Sequence, residues 1–368
     1  MTYLSAATLP DASVAAYVTA AGLLSLILCY LAPLIGPALG LVDDPRAKAH
    51  SLHARPTPLV GGLAVLLPSL VLAGADALLA GLSPAANAAA PSNAWVSLLV
   101  VAIMLVGAID DRLHLSARLR LAITAPMFTL FTYLNPAFSV EYLNAPAFGI
   151  SVPLGHLAAP FSALCLLAFT NAVNMADGRN GLVIGLSLIW CLTLSLYVPA
   201  HIQILLLGVA VSLLVTGYYN LRGRLFLGDS GTYGLAAFIG LAGLYAHGLT
   251  PQAGGISSTQ LAAVFAMPGL DMFRLIVERA ARGASPMSSD HDHLHHRLER
   301  FMGWRLGLPA YLALAGVPIL IACSAPDMGT PGLLLAVWNY GAAWLVTRRH
   351  RQQSGDRRPG AARGRPGT

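Results

Sequence analysis

Ile202-Gln-Ile-Leu-Leu-Leu-Gly-Val-Ala-Val-Ser-Leu-Leu-Val-Thr-Gly-Tyr-Tyr219 is an apolar run long enough to cross a bilayer, and it ends abruptly in Asn220-Leu-Arg222-Gly-Arg224-Leu-Phe226-Leu-Gly228-Asp229-Ser230-Gly231. A second apolar run follows at once and continues to residue 249. A spanning helix needs about 20 predominantly apolar residues, within a range of about 17–25. The stretch therefore reads as span, short basic loop, span. Working outward in both directions, the same alternation predicts helices near 14–40, 59–80, 95–109, 119–134, 157–175, 182–199, 201–219, 231–249, 259–277, 308–325 and 331–347. The expected fold is all-α: a polytopic integral membrane protein with about eleven transmembrane helices.

Composition agrees. Of 368 residues, 56% are hydrophobic and only 10% charged, with a mean hydropathy of +0.66. Soluble domains carry about 25% charged residues, so a water-soluble enzyme and a disordered chain are both excluded. The four cysteines, Cys29, Cys165, Cys191 and Cys323, each lie alone in an apolar run and suggest neither disulfides nor a metal site.

Sidedness follows from the basic residues. Eleven spans place the termini on opposite sides, and one alternate set of loops holds all 22 Lys and Arg residues: Val42–Pro58, Asp110–Arg120, Asn174–Gly181, Asn220–Gly228, Arg274–Gly307 and the tail after Val346. The opposite set holds none. Basic loops stay in the cytoplasm, which predicts N-out, C-in. With four acids outside and twelve inside, the net +6 divides into +10 on the inner face and −4 on the outer. That removes nucleic acid as the reason for the charge. Residues 1–347 read as one integral membrane domain, and 348–368 as a basic cytoplasmic tail expected to lack fixed structure.

The unusual polar residues gather on that inner side, at helix–loop junctions. Asp110 and Asp111 end an apolar run in Gly107-Ala-Ile-Asp-Asp-Arg-Leu-His114, with Arg118 and Arg120 following. Adjacent carboxylates there need a cation to stay ionised together, and hard oxygen donors beside Arg suit Mg²⁺ and a phosphate. A second loop, Asn171-Ala-Val-Asn174-Met-Ala-Asp177-Gly-Arg-Asn180-Gly181, suits phosphate, sugar or metal, although an ordinary Asn/Asp/Gly turn has the same composition. The third, around Asp229, joins a carboxylate to a helix start where an anion can bind, or is simply an N-cap. The fourth ends His291-Asp-His293-Leu-His295-His296-Arg297. Its imidazoles would bind a transition metal, clamp phosphate oxygens when protonated, or form a titrating surface patch. Together, carboxylates, His and Arg on one membrane face make the composition of a Mg²⁺-dependent phosphoryl-transfer site.

These residues also carry a resemblance. His53-Ala-Arg-Pro-Thr-Pro-Leu-Val-Gly-Gly62, the Asp110-Asp111 pair with Arg120, the run Asn171–Leu182, Phe226–Gly231 and His293-Leu-His-His296 occur in the order of five motifs of the polyprenyl-phosphate N-acetylhexosamine-1-phosphate transferases. The chain is most similar to their undecaprenyl-phosphate N-acetylglucosaminyl-1-phosphate branch, glycosyltransferase family 4. It departs from the pattern at His114 and Asn180, where acids are common, and before His53, where a basic pair is displaced to Lys48.

The resemblance implies transfer of a sugar-1-phosphate, GlcNAc-1-phosphate or a related N-acetylhexosamine, from a UDP-sugar to undecaprenyl phosphate with release of UMP. Such a step would initiate cell-envelope glycan or O-antigen (lipopolysaccharide) synthesis at the bacterial inner membrane, with the site facing the cytoplasm. It implies Mg²⁺, with Mn²⁺ as a substitute, held by Asp229, Asp177, Asp110 and Asp111. Catalytic roles would fall on those acids and on His293, His295 and His296. His53, Arg120, Asn171, Asn174, Asn220 and Arg282 would bind substrate. The partners are then UDP-N-acetylhexosamine, undecaprenyl phosphate and the bilayer, with no nucleic acid, and a homodimer is compatible. Rival readings are a phospho-MurNAc-pentapeptide transferase of peptidoglycan synthesis, a membrane transporter, and a non-catalytic relative.

Overall fold

The computed structural model describes residues 12–45, 55–81, 91–249, 254–283 and 292–356. The chain order is α1 (Ala12–Leu39), β1 (Val42–Asp43), β2 (Thr57–Pro58), α2 (Gly61–Gly81), α3 (Pro91–Leu113), α4 (Ala117–Leu134), β3 (Tyr142–Ala145) and β4 (Ile150–Pro153). It continues with α5 (Ala158–Ala176), α6 (Leu182–Leu194), α7 (Ala200–Leu221), α8 (Gly228–Gly248), α9 (Ser258–Ala281), α10 (Leu294–Met302), α11 (Trp304–Ala322) and α12 (Gly329–Asp356). Every helix but α10 falls on one of the eleven expected spans. Among the described residues, α1, α3, α5, α7, α9 and α11 are long and apolar enough to cross a bilayer. The protein is an all-α, multi-pass membrane protein.

Helix limits differ from the sequence expectation where the chemistry lies. α3 runs on to Leu113, so Asp110 and Asp111 stand on a helix rather than in a loop. α5 runs on to Ala176 and takes Asn171 and Asn174 with it. α10, a short amphipathic helix in a region expected to be loop, carries the His motif. α12 continues to Asp356, so the tail is helical from Arg348 to there; residues 357–368 lie outside the described residues.

α8 is the central helix. From Ser230 to His247 every side chain except Tyr245 is buried, under α2, α3, α5 and α6. Close packing without a hydrophobic drive between helices relies on small residues. A Cβ on Gly62 of α2 would collide with the Gly231 backbone, and one on Gly107 of α3 with the Asp229 carbonyl. The segment before α2 also pairs with the segment before α8: Phe226 N donates to the Pro58 carbonyl (2.9 Å), Gly61 N to Phe226 O (2.9 Å) and Gly62 N to Leu227 O (3.1 Å). β1 and β2 close the same corner, with Val42 opposite Pro58. These contacts place Asp229 at the meeting point of three helix ends.

The core is aromatic in its lower layer. Phe169 and Phe265 lie with centroids 4.1 Å apart and Trp190 edges onto both, its indole donating to Val264 O at 2.8 Å. The outer girdle is equally apolar. Tyr30 is 76% exposed, Leu34 70%, Leu320 73% and Trp338 72%, and such a continuous coat has lipid as its solvent.

Gly107→Ala should therefore lower stability by about 1–3 kcal/mol, because backbone rather than a movable side chain blocks the new methyl. Gly74→Ala, with nothing within 4 Å, serves as the control and should be neutral or slightly stabilising. Thermal unfolding of the two variants in one detergent checks this, and equal melting temperatures would contradict the close crossing.

Candidate active site

The end of α3, the end of α5 and the start of α8 surround a cavity of about 980 Å³. Asp111, Asn174, Asp177 and Asp229 line it, together with His114 and Asn180. Each acid has a distinct local role. Asp111 accepts from the backbone N–H groups of Asp229 (2.8 Å) and Ser230 (3.1 Å). It thus caps α8 from a different helix, satisfying orphan donors where the dipole favours a negative charge. Asp229 Oδ1 accepts from Asn174 Nδ2 at 2.6 Å, and the same amide donates to Thr232 Oγ1 at 3.1 Å. Asp110 is buried behind them and accepts from Arg120 Nη1 at 2.6 Å. That guanidinium also lies 3.9 Å from Asp229 Oδ2.

Asp177 stands just beyond α5, half-buried. Burial, then the nearby Asp111 carboxylate, pushes its carboxyl up to about 7. Of these four acids, Asp110 and Asp229 share the Arg120 guanidinium. The hard oxygens that face the cavity belong to Asp111, Asp177 and Asp229. Mg²⁺ is bound through one or two carboxylates, its own waters and substrate phosphates rather than by a closed protein cage, and these residues fit that requirement. Asp110 fits it less well, since it is spent on Arg120 and does not line the cavity. Among the described residues, the set of His, Cys or acid donors drawn within 4.8 Å of one another is instead Asp271, His293 and His295.

The imidazoles lie behind the loop that follows Asp177, not in the cavity itself. His293 and His295 stack with centroids 5.3 Å apart, and His296 adjoins His295 at 4.2 Å. His295 is 1% exposed, its Nε2 has no partner among the described residues, and it abuts Gly178 so closely that no Cβ fits there. Burial, then the neighbouring imidazoles, hold it well below the ordinary histidine range. His295 is thus a buried packing contact against Gly178, where burial disfavours the protonated form. The loop is latched further: Arg179 Nε donates to Glu299 Oε2 (2.6 Å) and Trp304 Nε1 to Asn180 O (2.9 Å).

Other expected residues are placed differently. Asn220 lines the cavity but is buried and tied down, accepting from Gly181 N (2.7 Å) and donating to Leu225 O (3.0 Å). Asn171 bonds back to Leu167 O (2.7 Å) on its own helix and lies away from the cavity. Arg120 does not line it either. Arg282 ends α9 in an exposed pair with Glu278 (3.2 Å). His53 lies outside the described residues. The cations that do face the cavity are Arg112, Arg179 and Arg222, with Asp43 and Asp44 on the rim. The signal that could have found them was their position in the same basic loops.

Because Asp177 binds its proton more tightly in the fold than in the unfolded chain, stability should fall as pH rises from about 4 towards 7. Asp177→Asn should flatten that slope, and added Mg²⁺ should restore stability above pH 7 in the wild type by binding the folded form alone. Melting curves across pH, with and without the cation, check this; an unchanged slope in the variant would contradict it.

Known proteins similar to the chain match across this region. The profile of glycosyl transferase family 4 covers residues 94–247. A decaprenyl-phosphate N-acetylglucosaminephosphotransferase of Mycolicibacterium smegmatis is 30% identical over 309 residues, 75% of this chain and 74% of the relative. One of that name from Mycobacterium tuberculosis is 32% identical over 317 residues, covering 75% and 74%. An undecaprenyl-phosphate alpha-N-acetylglucosaminyl 1-phosphate transferase of Salmonella typhi is 28% identical over 354 residues, 89% of this chain and 90% of the relative. With the multi-pass fold and the acid-lined cavity among its helix ends, the chain belongs to glycosyl transferase family 4, as a membrane phosphotransferase of the polyprenyl-phosphate N-acetylhexosamine-1-phosphate transferase superfamily.

Proposed function

We propose that the protein transfers an N-acetylhexosamine-1-phosphate, GlcNAc-1-phosphate in the first instance, from its UDP-sugar to undecaprenyl phosphate, releasing UMP. The observation that carries this reading is the cavity lined by Asp111, Asp177 and Asp229 at the mouth of three helices, rimmed by Arg112, Arg179 and Arg222. The basic residues of the loops around that cavity support a site at the cytoplasmic face of the bacterial inner membrane, with N-out and C-in topology. There a soluble nucleotide sugar meets a lipid whose polyprenyl chain stays in the bilayer. The relatives' names support a polyprenyl-phosphate acceptor and an N-acetylglucosamine phosphate group.

Both reactants are anions, so their approach must be neutralised first. Mg²⁺, when bound at Asp229 and Asp177, would supply charge neutralisation on the pyrophosphate and stabilise charge developing on the leaving UMP. The chain's own residues do the rest. Arg120, pinned by Asp110, lies beside Asp229. Asn174 orients the Asp229 carboxylate. Asp111 anchors the α8 N-terminus, and the three rim arginines draw the polyanion in. A lipid phosphate oxygen then attacks the β-phosphorus directly; it is ionised at neutral pH and needs no base. The bond to the sugar's C1 is left intact, so the anomeric configuration is retained.

The test is purified protein with undecaprenyl phosphate, Mg²⁺ and a panel of radiolabelled UDP-sugars. UMP release and a lipid-linked product with one donor are expected; their absence with every donor, from well-folded protein, would sink the transferase reading. UDP-MurNAc-pentapeptide belongs in the panel and should be inert. Asp229→Asn should lower kcat by several orders of magnitude with little change in melting temperature. Asp111→Asn should lower both, since an interhelical cap is lost as well, costing about 1 kcal/mol. A phosphosugar-labelled enzyme formed without acceptor would overturn direct attack.

A further inference from the structure

Asp271 sits on α9 in the apolar context Met267-Pro-Gly-Leu-Asp271-Met-Phe and is 4% exposed. An acid inside a span is costly and needs partners. This one has four. His293 Nδ1 lies 2.8 Å from Oδ2, the Tyr340 hydroxyl of α12 donates to Oδ1 at 2.8 Å, Arg274 Nη2 donates at 3.1 Å, and the Leu294 backbone N–H donates at 3.2 Å. Helices α9, α10 and α12 are thereby tied at one carboxylate.

Asp271, His293 and His295 offer ligand atoms within 4.8 Å of one another, a spacing a transition metal can use. The chemistry of the donors is against it. The carboxylate already accepts from three side chains and a backbone N–H, and one of those donors is a guanidinium, so a metal would have to displace partners beside a fixed positive charge. The pair is joined by a proton instead.

We propose that Asp271 is a positioning residue for the imidazoles of α10. An ionised carboxylate only accepts hydrogen bonds, so the 2.8 Å contact requires the proton of the His293 ring on Nδ1. The neutral ring then carries its lone pair on Nε2. The same carboxylate holds the first N–H of α10. That seats His295 against Gly178, and with it the loop that follows Asp177 in the cavity. Asp271 does not touch the reacting atoms; it acts through His293. This inference rests on the transferase reading for its kinetic consequences, but not for the tautomer itself.

The experiment therefore has two readouts. Long-range ¹H–¹⁵N correlation spectra of ¹⁵N-histidine-labelled protein in detergent report where the His293 proton resides, with assignment by His293→Gln. In the wild type Nδ1 should be protonated; in Asp271→Asn, whose amide can turn its N–H toward the ring, the proton should move to Nε2. Kinetically, Asp271→Asn should lower kcat about a hundredfold or more while the KM for the UDP-sugar stays within about threefold. In a His293→Gln background it should cost almost nothing further, since both changes remove one interaction. Tyr340→Phe removes a donor to Asp271 but leaves the His293 contact, and should keep the wild-type tautomer and kcat within about threefold.

A wild-type spectrum with Nδ1 unprotonated would overturn the proposal, even if Asp271→Asn failed to fold. So would an Asp271→Asn enzyme with kcat within threefold of wild type, or a full additional loss in the His293→Gln background, which is the mark of a merely structural anchor. If no UDP-sugar supports turnover by the wild type, the transferase reading fails, and the tautomer spectra still decide whether Asp271 sets His293.

Discussion

The architecture of the active end depends on one contact: the Asp111 carboxylate, at the end of α3, accepting from the first backbone N–H groups of α8. A helix that starts inside a membrane protein has donors that lipid cannot satisfy, and it has a positive end that favours an anion. Supplying that anion from another helix fixes both the position and the rotation of α8. The glycine crossings of α2 and α3 over its first turn then let the backbones approach closely enough for the cap to reach. Asp229, the second residue of α8, can point in only one direction once this is in place. Asn174 and Arg120 meet it there.

Around that contact the acids find different partners. Asp110 is matched by Arg120, and Asp111 by helix donors, but Asp177 and Asp229 face the cavity. Burial, and then the nearby Asp111 carboxylate, disfavours ionisation of Asp177. In the proposed reaction a hard cation carried in with a pyrophosphate would offset the remaining negative charge.

The histidine helix shows how far residue type alone can mislead. In sequence, His293-Leu-His-His296 reads as a transition-metal site, a phosphate clamp or a titrating surface patch. In the fold, His295 is a buried ring packed on Gly178, and His293 is held by Asp271 of α9. Asp271 had a legible signal, an acid directly after the apolar run that ends at Leu270. Its partner did not, since 22 positions and a loop separate the two residues. Asn171, Asn220 and Arg282 were plausible donors by composition; their hydrogen bonds to backbone and to a neighbouring acid are matters of helix phase and loop closure that spacing does not reveal.

What the sequence determined by itself was the solvent, the approximate positions of the apolar helices and the residues of the motif loops. Apolar length and the one-sided distribution of Lys and Arg are properties of short windows, and they do not depend on which helix lies beside which. The tertiary structure alone decided which acids face the cavity, which is spent on an arginine, and which caps a helix. It also decided that Arg112, Arg179 and Arg222, rather than Arg120, reach the open face. The physical reason is that each of these roles is a contact between helices far apart in the chain, set by angle and rotation to within a hydrogen-bond length. One-dimensional spacing can bring such residues to the same membrane face, but not to the same oxygen atom.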